Sequence, residues 1–211
     1  PRVQRTEEVQ FTLTVPKGGA MPEAGWPVVI YAHGTGGHYR SAIAEGLARD
    51  WSAVTLDGGE VVRFAVLTID QPMHGPRRNP AAWKDAWLEV DPSAYDPDVL
   101  YFNVLNPRAA RDNALQAAAD GFSLVRAVSS FDWSAEASPI GQTLRLDPQQ
   151  IHFLGHSQGA VAGAVWTPYA PELRSVVFSG GGGLLIESLV GKKNPHDLSK
   201  VLALGLIDPK I

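Results

Sequence analysis

The chain has 211 residues, of which 45% are hydrophobic and 19% are charged. This composition is typical of one globular domain with a substantial core, and it excludes a disordered chain. The formal net charge of −4 argues against a nucleic-acid surface, and the lack of cysteine excludes disulfides, a cysteine nucleophile and thiolate metal sites. The 6 Trp and 16 Pro favour a secreted or periplasmic protein over a cytosolic one.

The first third of the chain predicts strands alternating with a helix. Residues Val9 to Val15 alternate in polarity, as in a half-exposed strand, whereas Val28 to Ala32 is an unbroken apolar run. Such a run is typical of a strand covered on both faces. Ser41 to Trp51 carries apolar residues at helical spacing, and Phe64 to Ile69 predicts a second buried strand.

A long segment from Pro76 to Pro107 is rich in proline, aspartate and aromatic residues and predicts an irregular insertion. Insertions of this length are often functional. Its aromatic residues, among them Trp83 and Trp87, have two interpretations. They line a pocket for the acyl or alcohol part of a substrate, or they form a hydrophobic cluster that holds the insertion in place.

The remainder of the chain continues the alternation. Arg108 to Phe131 predicts a long helix, Ile151 to Leu154 a third buried strand, Ala160 to Trp166 a helix and Ser175 to Phe178 a fourth strand. One face of the long helix is predicted to carry Ala114, Ala118, Phe122, Val125 and Val128. This order predicts a single α/β domain over residues 1–211, with a mostly parallel sheet and helices on both faces.

The sequence Gly155-His156-Ser157-Gln158-Gly159 matches Gly-x-Ser-x-Gly and lies between a predicted strand and a predicted helix. A serine on so tight a turn has strained backbone geometry, and the flanking glycines avoid collisions. The helix N-terminus also places partial positive charge near a developing oxyanion. The motif therefore predicts Ser157 as a nucleophile; the alternative is a glycine-rich packing turn with an unreactive serine.

A second motif, His33-Gly34-Thr35-Gly36-Gly37, follows the earlier buried strand. An oxyanion hole needs two backbone N–H groups directed at one point. We assign these donors to Thr35 and Gln158. The alternative is that the glycines only form a tight turn.

These two motifs, with Asp70-Gln71-Pro72-Met73-His74-Gly75 between them, resemble the α/β-hydrolase superfamily and, within it, bacterial lipases and carboxylesterases. The resemblance covers residues 28–183. It implies the α/β-hydrolase fold, attack of serine on an ester carbonyl, an acyl-enzyme and deacylation by water, without a cofactor or metal. The substrate would be a small-molecule or lipid ester.

The same resemblance implies supporting roles for other residues of the motifs. His156 is expected to pack behind the nucleophile rather than to act as the base. The 70–75 segment is expected to be structural, so that His74 organises its loop; the alternative is that His74 touches substrate.

The catalytic acid and base are not evident in the sequence. In the superfamily they follow the serine, and here Ser157 is followed by Glu172, Glu187 and a single histidine, His196. A triad of Ser157, Glu187 and His196 is one interpretation. The preferred one places the last strands, the acid and the base beyond Ile211, in a C-terminal fragment or a second chain that completes the domain and covers an open sheet edge. Two rivals stay open: a non-catalytic binding module, and a peptidase or thioesterase of the same superfamily.

Overall fold

The computed structural model describes residues 6–78, 97–103, 106–184, 187, 190–193, 197 and 199–200. The strands are β1 (Phe11–Thr14), β2 (Trp26–Ala32), β3 (Val54–Thr55), β4 (Val61–Val62), β5 (Ala65–Ile69), β6 (Asp132–Trp133), β7 (Leu144–His156) and β8 (Leu173–Ser179). The α-helices are α1 (Ser41–Ala44), α2 (Leu47–Asp50), α3 (Pro97–Phe102), α4 (Pro107–Val128) and α5 (Gln158–Trp166). Within the described ranges, two 3₁₀ helices span Gly75–Arg78 and Thr167–Tyr169.

The main sheet has the strand order β1-β5-β2-β7-β8. β1 is antiparallel to β5, and the other neighbours in this order are parallel. β6 pairs antiparallel with the start of β7, and β3 and β4 form a separate small hairpin. From β2 the chain moves to β5 on one side and then returns past β2 to β7. This is the α/β-hydrolase fold that the sequence predicted.

Alternate residues of the strands face two different cores. Val28 and Ile30 of β2 join the larger core, which contains Val125 of α4 and Trp166 of α5. Tyr31 lies on the other face, in a smaller cluster beneath α1 and α2. Because successive side chains of a strand point to opposite faces, β2 must be apolar at every position, which explains its unbroken apolar run.

Two helix predictions need correction. The helix expected over 41–51 is divided into α1 and α2, because Gly46 has a left-handed φ of +82° that ends the first turn. The long helix buries Ala118, Val125 and Val128 of its predicted face, but Ala114 is only half-buried. Phe122 is exposed, and the buried positions are Asn113, Ala117, Ala118, Gly121, Val125 and Val128.

The packing of Trp166 explains the face that α4 buries. A Cβ added at Gly121 would lie 2.3 Å from Cε2 of Trp166, so only glycine admits the indole there. Phe122 instead lies beside this ring, with centroids 5.5 Å apart. A hydrophobicity pattern ranks phenylalanine above glycine as a core residue, and here the close approach of α4 and α5 reverses that order.

The insertion predicted over residues 76–107 contains regular structure where it is described. The 3₁₀ helix Gly75–Arg78 begins it and α3 lies near its end, so the expectation of an irregular segment is wrong there. Trp83 and Trp87 lie outside the described residues. The two-residue strands β3, β4 and β6 were not predicted, because segments so short have no periodicity to detect.

β8 lies at the edge of the sheet as described, with β7 as its neighbour. Its apolar residues Val176, Val177 and Phe178 are 38%, 51% and 47% exposed. Because consecutive residues alternate between faces, both faces of this strand are open to solvent. No helix within the described ranges is long and apolar enough to cross a membrane.

Candidate active site

Ser157 lies on a sharp turn between β7 and α5. Its φ of +50° and ψ of −113° lie in a region that non-glycine residues avoid, at a cost of about 1–3 kcal/mol. The turn is held by the Ser157 N–H, which donates to the Ser179 carbonyl at 2.7 Å, and by the Ser157 carbonyl, which accepts from Ala160 and Val161. Ser157 is half-buried. Such strain at a residue that the fold holds firmly is typical of a functional position.

The flanking glycines are required by close backbone contacts. A Cβ added at Gly155 would lie 2.5 Å from the Gly159 carbonyl oxygen, and one at Gly159 would lie 2.1 Å from the Ala32 carbonyl oxygen. The turn therefore packs directly on the end of β2. The sequence predicted that the flanking glycines avoid collisions, and these short distances agree with that prediction.

The loop 33–37 reaches the same point because β2 and β7 are neighbouring parallel strands. Their register pairs Ala32 with Gly155, so the segments after both strands meet at the carboxyl edge of the sheet. A Cβ added at Gly34 would lie 3.2 Å from Cβ of Ser157. This is also where the chain order reverses around β2, the place at which open α/β sheets bind ligands.

Thr35 and Gln158 are brought together beside Ser157. The Thr35 hydroxyl donates a hydrogen bond to Oε1 of Gln158 at 3.0 Å. Among the hydrogen bonds of the described residues, none uses the backbone N–H of Thr35 or of Gln158. Gln158 is the first residue of α5, where a helical N–H has no partner within the helix. Both backbone N–H groups can therefore donate a hydrogen bond to an oxygen on which negative charge develops.

His74 is fully buried and supports the loop 33–37 from behind. Its Nδ1–H donates to the Pro72 carbonyl at 2.9 Å, and its Nε2 accepts the Gly36 N–H at 3.1 Å. Burial lowers the pKa of His74 to about 4, so the ring is neutral at pH 7 and can accept this bond. His74 has no exposed surface, and one of these two contacts is to the loop 33–37. Its role in organising the loop stays a prediction.

His33 is also fully buried. Its Nδ1–H donates to the Gly34 carbonyl at 2.8 Å, and its ring meets that of His74 edge to face at 5.0 Å. Burial lowers the pKa of His33 to about 4. Two adjacent neutral imidazoles therefore lie in the core beneath the loop, and neither is hydrogen-bonded to the Ser157 hydroxyl.

His156 departs from its expected position. Its side chain is exposed rather than packed behind the nucleophile, and its Nδ1 lies 3.2 Å from the Ser179 hydroxyl. The reason is its place at the end of β7, beside the open edge strand β8. His156 and Ser179 thus join the turn to β8.

No described side chain is hydrogen-bonded to the Ser157 hydroxyl. The histidines within the described ranges are His33, His38, His74, His152 and His156, and none contacts it in this way. Glu172 and Glu187 are exposed. His196 lies outside the described residues, so the predicted triad with Glu187 is not tested. Among the described residues, no group of three or more His, Cys, Asp or Glu could hold a metal ion.

One residue of this site was missed by the sequence analysis. Gln71 is 5% exposed and connects Gln158 to His33 through its side-chain amide. The sequence signal that could have indicated Gln71 is a polar residue just after the buried strand β5. Since that pattern is common at strand ends, only the fold singles out Gln71.

Comparisons with known proteins add no family. No protein-family model matches the chain, and no curated protein matches it. One solved structure that resembles it is a PEG-bound complex of a novel cold-adapted esterase from an Arctic intertidal metagenomic library. That likeness has a TM-score of 0.45 and 16% identity, covering 79% of this chain and 52% of the esterase.

A second is the putative non-heme bromoperoxidase BpoC from Mycobacterium tuberculosis H37Rv. Its TM-score is 0.44 with 14% identity, covering 88% of this chain and 45% of that protein. The chain thus spans about half the length of each of these structures. The activities in these descriptions belong to those proteins.

Proposed function

We propose that this chain carries the nucleophile of a serine hydrolase that cleaves carboxylic esters through an acyl-enzyme on Ser157. The observation that supports this most is the turn at Ser157, a strained serine at the start of α5 with two free backbone donors beside it. Strained geometry of this kind exposes a serine oxygen at the top of an α/β sheet. A packing turn alone would not require a serine at a positive φ.

In the proposed reaction, the Ser157 oxygen attacks the ester carbonyl while its proton passes to a base. The new C–O bond leaves a negative charge on the carbonyl oxygen, which the backbone N–H groups of Thr35 and Gln158 stabilise. Collapse of this intermediate breaks the bond to the alcohol, which leaves with the proton. Water then cleaves the acyl-enzyme by the same steps and restores the Ser157 hydroxyl.

The base of this scheme comes from outside the described residues, and the acid is either Glu187 or a residue that also lies outside them. His196 is one source of the base. The other is a further segment, in a C-terminal fragment or a second chain, that pairs along β8. Among the described residues β8 pairs with β7 alone, and its free edge supports a further strand there, because an uncovered strand edge is normally paired or protected. The exposure of both faces of β8 supports helices packed over it.

The test is labelling of the full chain with a fluorophosphonate, together with hydrolysis of p-nitrophenyl acetate. We expect one adduct, located on Ser157 by peptide mapping, and the loss of both labelling and turnover in Ser157→Ala. Ser123→Ala changes an exposed serine on α4 whose hydroxyl donates to the Ala119 carbonyl of the same helix, and it should label like the parent protein. An adduct on another residue, or turnover retained by Ser157→Ala, would contradict the proposal.

A further inference from the structure

A directed chain of hydrogen bonds joins the two proposed oxyanion donors beneath the site. The Thr35 hydroxyl donates to Oε1 of Gln158 at 3.0 Å, and Nε2 of Gln158 donates to Oε1 of Gln71 at 3.4 Å. Nε2 of Gln71 then donates to the His33 carbonyl oxygen. This series of hydrogen bonds begins at Thr35 of the loop 33–37 and ends at His33 of the same loop. We call it the circuit.

The burial of this circuit fixes the direction of each bond. Gln158 is 1% exposed, Gln71 is 5% exposed and His33 is fully buried. Turning Gln71 over would place its oxygen against the His33 carbonyl oxygen and its nitrogen against Nε2 of Gln158. Turning Gln158 over would place its oxygen against Oε1 of Gln71. Each amide thus has one satisfied orientation, set by its neighbours.

The circuit connects three elements that meet only through the fold. Thr35 and His33 follow β2, Gln71 follows β5 and Gln158 begins α5. A second contact, from the Gly36 N–H to the buried His74, holds the same loop from the side of the 70–75 segment. The positions of the two backbone donors are therefore coupled before any substrate arrives.

We propose that Gln71 and the Thr35 hydroxyl are positioning residues that hold the backbone N–H groups of Thr35 and Gln158 toward one point. This inference rests on the proposed function of Ser157. In this proposal both side-chain groups act through the backbone donors. Their effect follows from preorganisation, since donors fixed in advance need no reorientation as charge develops.

The first test replaces Thr35 with valine, which has nearly the same shape and keeps the backbone N–H but lacks the hydroxyl. Losing the circuit should lower kcat for p-nitrophenyl acetate about 10-fold or more, with KM little changed, because a displaced donor weakens only the transition state. The rate of fluorophosphonate labelling should fall in parallel. Thr35→Ser restores the hydroxyl and should recover most of both rates, and Thr55→Val, on the exposed β3, should match the parent protein.

A second variant and a second measurement keep the test decisive. Gln71→Glu removes the donor to His33 and should act in the same direction as Thr35→Val. Amide hydrogen exchange of residues 33–37 and 157–160 should become faster in both variants, whether or not the chain is active. Unchanged exchange, or faster exchange with unchanged kcat, would overturn the positioning role. If the parent protein takes no label on Ser157, the proposed function fails, while hydrogen exchange still decides whether the circuit holds the loop.

Discussion

At the scale of single residues, the candidate site depends on backbone atoms that lie closer together than side chains allow. Gly159 lies against the Ala32 carbonyl, and Gly155 lies against Gly159 itself. These contacts bring the start of α5 onto the end of β2. Ser157, at a φ of +50°, lies in the turn between these two close contacts.

Substituting Gly159→Ala should therefore destabilise the protein strongly. The new methyl group would lie 2.1 Å from the Ala32 carbonyl oxygen, and backbone must move to admit it. We expect the free energy of unfolding to fall by about 2–4 kcal/mol, at or above the usual cost of overpacking. Urea denaturation would measure the loss. Gly58→Ala is the matched control, because a Cβ there meets nothing within 4 Å and should leave the midpoint unchanged.

At the scale of elements, a buried arginine joins segments that are far apart in the sequence. Arg77, in the 3₁₀ helix after β5, is 4% exposed. Its guanidinium donates to Glu7 before β1 at 2.6 Å, to Asp120 of α4 at 2.6 Å and to the Asp70 carbonyl at 2.8 Å. It thereby ties the first strand, the end of β5 and the long helix together below the 70–75 segment.

The prediction for this cluster is that Arg77→Met lowers the free energy of unfolding by about 3–5 kcal/mol, because it removes the buried guanidinium that contacts the carboxylates of Glu7 and Asp120. Arg49→Met is the matched control, because it makes the same substitution in an exposed ion pair with Asp50. It should not change the urea midpoint. Equal midpoints for the two variants would show that the Arg77 cluster contributes no more than a surface ion pair.

At the scale of the whole molecule, the buried histidines His33 and His74 make folding depend on pH. Both are neutral in the folded protein down to about pH 4, because burial lowers each pKa from 6.5 to about 4. Above pH 6.5 both states are neutral, so the two histidines have no effect on the pH dependence. Between pH 6.5 and 4 the unfolded chain binds protons that the folded chain excludes, so stability falls as the pH falls.

We expect this loss to reach about 3 kcal/mol for each histidine across that window. Urea midpoints of the parent protein measured from pH 7 to pH 4.5 should decrease, and the decrease should be smaller in His74→Gln, which has one titrating ring fewer. The carboxylates contribute equally to the pH dependence of both proteins, so subtracting the His74→Gln profile from the parent profile cancels their contribution. Identical slopes would mean that His74 takes up its proton at an ordinary pH.

The sequence by itself determined the order of the strands and helices and the places of the two motifs. Unbroken apolar runs are typical of strands covered on both faces, and Gly-x-Ser-x-Gly between strand and helix is typical of a tight turn that carries a nucleophile. These are local constraints, so they can be read along the chain. They located β2, β5, β7 and β8 to within a few residues, except that β7 begins at Leu144, seven residues before its predicted start.

The tertiary structure alone decided which residues support the site. Gln71, His74 and Thr35 are joined to Gln158 or to the loop 33–37 because β5, β2 and β7 lie side by side, and no spacing in the sequence encodes that adjacency. The same holds for Gly121, whose burial depends on where Trp166 lies. Local patterns fix what a segment becomes, whereas hydrogen bonds between segments depend on strand order, which arises only when the whole sheet assembles.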